Sequence, residues 1–185
     1  MAHEAQLFFR QLLSKPKQVS AIAPSSRWLA RAMAQGLGPH SGRIVEFGPG
    51  TGQLTRGILA AGVAPADLTL FEMSPDFTTH LREIFPGVTV HNAGAQTAAA
   101  HIAPGVAAVI SGLPLLSMPA ELRESIVQAA FDVLAPNGTY VQFTYGPKPP
   151  LSPEQLDRMG LTVTPGPKVW ANLPPARVFH FRRAA

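Results

Sequence analysis

Cysteine is absent from the 185 residues, which excludes disulfides, thiolate nucleophiles and Cys-ligated zinc. No apolar run approaches the roughly 18 residues a membrane-spanning helix needs. No secretory leader pattern opens the chain, so an intracellular setting is expected. Charged residues are scarce, at 14%, so a coiled coil or a disordered chain is not the expectation. The six histidines, at 3, 40, 80, 91, 101 and 180, lack metal-like spacing, and no metal site is expected. The length suits a single domain that can bury a sizeable core without covalent staples.

The few charges are unevenly placed. Residues 1–43 hold six Lys/Arg and one acid, residues 44–167 five against ten, and residues 168–185 four against none. An acidic middle lies between two basic ends. Such ends attract phosphate, whether of nucleic acid or of an anionic membrane.

The first segment has helical periodicity. Ala2, Ala5, Phe8, Phe9, Leu12 and Leu13 fall within an arc of about 140°, with Arg10 on the other side. Lys15-Pro16-Lys17 ends the pattern. Residues 1–18 therefore read as an amphipathic helix and 19–185 as the main domain. Exposed, Phe8, Phe9, Leu12 and Leu13 would enter a bilayer interface while Arg10, Lys15 and Lys17 meet anionic headgroups. A second helix starts at Ser25 or Ser26, with Leu29, Ala32, Met33 and Gly36 as its buried stripe. From Arg43 strands and helices alternate: strands at 43–47, 67–72, 87–91, 106–111 and 138–145, and helices near 52–62, 75–84, 95–102 and 119–134. This order predicts an α/β fold with a mostly parallel sheet covered on both faces. Residues 160–164 and 176–182 read as an antiparallel pair at its edge.

The run Glu46-Phe47-Gly48-Pro49-Gly50-Thr51-Gly52 follows a strand and opens a helix. Its spacing is G-x-G-x-G, not the G-x-G-x-x-G that holds a pyrophosphate. Glu46 would repel pyrophosphate and suits a ligand bearing an ammonium group. Twenty-four residues after Gly48, Glu72 ends the second strand, where an acid can take both ribose hydroxyls. This ordered set resembles the Rossmann-like class I methyltransferases that bind S-adenosylmethionine. The resemblance implies a seven-stranded sheet, with Met73, Gly94 and Ala95 also lining the cofactor site. Ala95 stands where many members carry an acid near the adenine amine, which leaves adenine to backbone groups or Gln96.

The fourth strand ends at Ser111-Gly112-Leu113-Pro114-Leu115-Leu116. In amino-group methyltransferases this place often carries N-P-P-Y. Here Ser111 and Gly112 replace the Asn region, at the cofactor's edge, and Leu115 replaces the aromatic on which a planar base stacks. Leu113 and Pro114 fix a turn that aims backbone carbonyls at a substrate nitrogen. Tyr145 ends the fifth strand beside the expected site, where its phenol can bond an amine and its ring can face the cation that methylation creates. Trp170 is a candidate second wall.

Five strings together, Ala21–Arg27, Glu46–Gly52, Ser111–Pro119, Phe143–Pro147 and Asn172–Val178, resemble the small, membrane-peripheral bacterial phospholipid N-methyltransferases. That resemblance implies successive methyl transfers from S-adenosylmethionine to phosphatidylethanolamine, giving phosphatidylcholine. It also implies docking on the cytoplasmic membrane through the first helix, and no metal. Ser25 and Ser26 would then hold the cofactor carboxylate, or a lipid phosphate together with Arg27; a plain helix cap is the alternative. Expected partners are anionic lipids and the aminophospholipid substrate, with neither nucleic acid nor an obligate protein partner. Two other functions remain open at this point: an RNA adenine methyltransferase, and a cofactor-binding membrane module without turnover.

Overall fold

A computed structural model describes residues 26–184. The expected first helix, with Phe8, Phe9, Arg10, Leu12, Leu13, Lys15 and Lys17, lies outside these residues, as does Ser25.

Strands β1 (Ile44–Phe47), β2 (Leu68–Glu72), β3 (Thr89–Asn92), β4 (Val106–Ser111), β5 (Leu134–Thr144), β6 (Leu161–Val169) and β7 (Ala176–Arg183) form one sheet. Its order is β3-β2-β1-β4-β5-β7-β6. The first five strands are parallel, and β7 runs antiparallel to both β5 and β6. The expected fold is therefore present. β6 is longer than the sequence suggested, because a register shift between Pro165 and Lys168 carries it past two prolines and a glycine.

Helices α1 (Arg27–Met33), α2 (Gln53–Ala60) and α3 (Pro75–Ile84) cover one face, and α4 (Ala120–Val133) and α5 (Pro153–Met159) the other. Strand periodicity sorts the core between them. Ile44, Leu68, Leu70, Ile110 and Val141 face α1–α3. Val45, Phe47, Phe71, Val109 and Tyr140 face α4 and α5. Local chemistry explains α3: the Ser74 hydroxyl accepts from Phe77 N, Pro75 opens the helix and Asp76 lies in its first turn. The run at 95–102 is a 3-10 helix, Ala95–Ala100.

The buried stripe of α1 differs from expectation. Leu29, Ala30 and Met33 are buried, whereas Ala32 is half-buried and Gly36 exposed. The cause is α2: a Cβ on Gly57 would stand 2.8 Å from Ala30 Cβ, so the two helices touch backbone to small side chain at this point.

The sheet reverses its winding between β1 and β4. In an open α/β sheet a ligand sits outside the carboxyl ends of the strands at such a point.

Candidate active site

The loops after β1, β2 and β4 meet at this crevice. Gly48 N donates to Phe71 O at 3.0 Å, and Gly112 N to Phe47 O at 2.8 Å. The contact is close: a Cβ on Gly112 would lie 2.7 Å from Gly48 O. Gly50 is different. It adopts φ +54° with no atom within 4 Å of where its Cβ would stand, so its missing side chain leaves room on the cleft side. Gly52 closes the loop as the N-cap of α2, and no side chain caps that helix. Its first amides are left for a ligand or solvent. Pro49 is buried and Thr51 exposed.

Two carboxylates flank the loop. Glu46 is fully buried, with its Oε2 accepting from the Thr55 hydroxyl at 2.7 Å. Its Oε1 is buried with no hydrogen-bond partner among the described residues. Burial pushes the carboxyl up to about 8, against the Thr55 bond and with a further push from Glu72. Glu72 sits at the mouth of the same crevice. Its Oε2 accepts from Gly50 N at 3.1 Å and its Oε1 from Ser74 N at 2.8 Å. Burial raises its pKa, while these backbone donors oppose the rise.

A cleft of about 140 Å³ opens here, lined by Gly48, Gly50, Glu72, Met73, Ala95 and Gly112 among others. Phe71, Phe77, Gln96 and Ile126 also line it and were not expected, except Gln96. Phe77 and Ile126 come from helix faces whose aim depends on packing. Gly94 is buried beside the cleft without lining it.

A second cavity of about 90 Å³ adjoins the first. The two share Gly112, Leu113 and Pro114, and Phe143, Thr144 and Tyr145 form the far wall of the second. Tyr145 stacks edge-on against Phe143 at 5.4 Å. Its hydroxyl is buried without a hydrogen bond among the described residues. Burial raises the phenol's pKa, offset in part by the neighbouring Asn172 side chain. Asn172 itself is committed elsewhere: Oδ1 accepts from Ser26 N at 2.9 Å, and Nδ2 donates to Pro174 O at 2.8 Å.

Several expected residues stand elsewhere. Ser111 is wholly buried and lines neither cavity; strand parity turns it into the core, where its Oγ accepts from Leu113 N. The Leu113 carbonyl does not face a substrate nitrogen either, because it accepts from Gln142 Nε2 and from Leu115 N, both at 2.9 Å. The Pro114 carbonyl accepts from Ser117 N. Of the three carbonyls at 112–114, only that of Gly112 accepts no bond among the described residues. Leu115 is 1% exposed and offers no stacking surface. Ser26 caps α1, its Oγ accepting from Leu29 N at 3.2 Å, so the plain cap describes its hydroxyl. Arg27 is exposed, lies over Trp28 and lines neither cavity. Trp170 is exposed and walls neither cavity.

A buried polar network holds the loop after β4. Tyr140 donates to Gln142 Oε1 at 2.7 Å, and Gln142 Nε2 donates to Leu113 O and Phe143 O. Replacing Gln142 with leucine orphans the Tyr140 hydroxyl and frees the Leu113 turn. Urea unfolding should show a loss of about 2–4 kcal/mol, and substrate KM should rise more than cofactor Kd.

Among the described residues no cluster of His, Asp or Glu could hold a metal ion. The residues present fit S-adenosylmethionine: an orphaned buried carboxylate oxygen for an ammonium, an uncapped helix start for a carboxylate, open space at Gly50, and an acid after β2 for a ribose. No family model matches the chain. It is 31% identical over 154 residues to an ornithine lipid N-methyltransferase of Singulisphaera acidiphila, spanning 76% of this chain and 78% of that one. Among solved structures it is similar to a TehB-like SAM-dependent methyltransferase from Corynebacterium glutamicum. That match has a TM-score of 0.66 at 14% identity and covers 94% of this chain and 97% of the other. The mitomycin 7-O-methyltransferase MmcR matches at TM-score 0.66 and 16% identity, over 96% of this chain and 60% of its own. Fold, site and sequence agree: the chain belongs to the S-adenosylmethionine-dependent methyltransferase family that includes this ornithine lipid N-methyltransferase.

Proposed function

We propose that the protein methylates the amine of a membrane aminolipid, phosphatidylethanolamine and its methylated intermediates, toward phosphatidylcholine. The observation that carries this reading is the pair of adjoining cavities, the second closed by the buried, unpartnered Tyr145 hydroxyl beside the free Gly112 carbonyl. Such a pocket suits a small aliphatic amine. At the turn after β4, Leu115 is buried and offers a nucleobase no ring to stack on, which weighs against RNA adenine.

S-adenosylmethionine, when bound, supplies an electrophilic methyl on a sulfonium. Glu46 and the start of α2 receive its amino-acid end, and Glu72 its ribose. Gly112 O and Tyr145 Oη would accept hydrogen bonds from the N–H groups of the primary or monomethylated amine and hold its lone pair toward the first cavity; the dimethylated amine, which has no N–H, would rest against the Tyr145 ring. Most of the rate enhancement is then alignment. The amine must be neutral to attack, and its proton leaves to solvent: Glu46 is wholly buried and, like Ser111, lines neither cavity. As charge passes to nitrogen, the Tyr145 ring faces the new cation.

A lipid-borne ornithine is the second reading. The relative favours it, and ornithine's side chain also ends in a primary amine. In either case we assign docking on the cytoplasmic membrane to residues 1–18, with Phe8, Phe9, Leu12 and Leu13 entering the interface and Arg10, Lys15 and Lys17 meeting headgroups.

The test is methyl transfer from labelled S-adenosylmethionine to detergent-dispersed phosphatidylethanolamine, ornithine lipid or structured RNA. Label in phosphatidylethanolamine supports the first reading, and label in ornithine lipid alone the second. Label in RNA alone, or cofactor binding without transfer, overturns both. Tyr145→Phe should lower kcat about tenfold with cofactor Kd unchanged; an unaltered kcat refutes its role.

A further inference from the structure

We infer that the folded domain carries its own membrane-contact rim around the acceptor cavity, separate from residues 1–18, and that an anionic bilayer surface covers it. The inference rests on the lipid-amine reading and adds the surface through which the headgroup enters.

Four large apolar side chains are exposed among the described residues: Trp28 at 47%, Leu116 at 53%, Trp170 at 71% and Leu173 at 80%. They converge on one place. The register Val169↔Ala176 makes 170–175 the end of the β6–β7 hairpin, and Thr144↔Arg177 sets that end beside the carboxyl edge of β5, next to Tyr145. Asn172, only 2% exposed, points inward and anchors this end to Ser26. Trp170 and Leu173 on either side are left facing out. Trp28 follows two residues after the Ser26 anchor, and it shares a groove with Pro167 of β6. Leu116 lines the acceptor cavity together with Tyr145. Two indoles and Leu173 at the hairpin end and α1 start, with Leu116 on the cavity itself, thus form an apolar rim on the acceptor side of the site.

The charge around it has one sign. Lys168 Nζ lies 3.6 Å from the centre of the Trp170 ring, and Arg27 Cζ lies 4.9 Å from that of Trp28. No acid occurs between Glu4 and Glu46 or after Asp157, so every residue of α1, β6 and β7 is basic or neutral. An indole with a cation on its face suits the bilayer interface, the ring at headgroup level and the charge among the phosphates. A second copy of the chain docking by this same face would bring the same positive sign against it and be repelled. Seated on anionic lipid, the rim turns the second cavity toward the headgroups, and an amine reaches Tyr145 without leaving the membrane.

Both tryptophans of the chain lie on this rim, so intrinsic fluorescence reads it directly. In Trp28→Phe, Trp170 is the sole tryptophan and is excited selectively at wavelengths the two tyrosines do not absorb. With phosphatidylethanolamine–phosphatidylglycerol vesicles, its emission should shift to the blue and be quenched by acyl chains brominated near the headgroup. Leu173→Ser should lower vesicle affinity about fivefold, with transfer to detergent-dispersed aminolipid unchanged. Protein that sediments with vesicles while Trp170 emission stays unaltered overturns the rim and leaves the lipid reading intact. Failure to sediment, or a blue shift that grows with protein concentration in the absence of lipid, also overturns it. Absence of transfer to detergent-dispersed aminolipid overturns the lipid reading and the rim together.

Discussion

Replacing Glu72 with alanine is expected to weaken S-adenosylmethionine binding by a factor on the order of 10²–10⁴. Two ribose hydroxyls bonded to one carboxylate contribute about 1.5–3 kcal/mol each, and each 1.4 kcal/mol is about tenfold in Kd. The carboxylate also holds the loop: with it gone, Gly50 N and Ser74 N lose their acceptor, and the glycine turn loosens where the cofactor enters. Glu72→Gln separates the two effects. Its amide oxygen can keep one backbone donor, so the fold should resemble wild type in thermal melting while cofactor affinity still falls. Calorimetric titration of both variants checks this. Unchanged affinity in either would remove the ribose assignment.

Glu46 should give the second large effect, and it depends on pH. The group is held up to about 8 when folded, chiefly by burial, and returns to about 4.5 when the chain unfolds. Across that window the folded state holds a proton the unfolded state has lost, so the ligand-free protein loses stability as pH rises from about 4.5 to about 8. Glutamine copies the shape and charge of the protonated acid. Glu46→Gln should therefore melt like wild type near pH 4.5 and above it near pH 8. Cofactor binding should go the opposite way. An ammonium placed against Oε1 requires the carboxylate, so wild type releases a proton on binding and its affinity rises with pH below about 8. The variant should bind about 100-fold more weakly at pH 8 and release no proton there. Titrations in buffers of different ionisation heat measure that proton. If wild type releases none at pH 6.5, Glu46 does not meet the cofactor's ammonium.

The first cleft was legible in part because its signals are local. Gly48, Gly50 and Glu72 lie at fixed places relative to one strand end and the next, and all three line the first cleft; Glu46 is buried behind it and Gly52 caps α2. Ser74-Pro75-Asp76 starts α3 by chemistry within a single turn. The acceptor half was less legible. The Leu113 carbonyl was expected to face a substrate nitrogen, but it is taken by Gln142, 29 residues away, and no local pattern announces that bond. Ser111 was placed at the cofactor when its parity with Val109 already pointed it inward. The stripe of α1 shifted toward Ala30 because Gly57 of α2 lacks a side chain, which is a property of the pair rather than of either helix. Trp170 was noticed for the right reason, an aromatic near the site, yet the hairpin end that carries it holds Asn172 inside and turns the indole out.

Asn172 has one more consequence. Its side chain joins the amide of Ser26 to the hairpin end and lies against the Tyr145 phenol. The start of α1 is therefore tied to the hairpin end beside β5. One side chain thus couples the first turn of α1 to the antiparallel edge of the sheet, so loosening either element loosens the other.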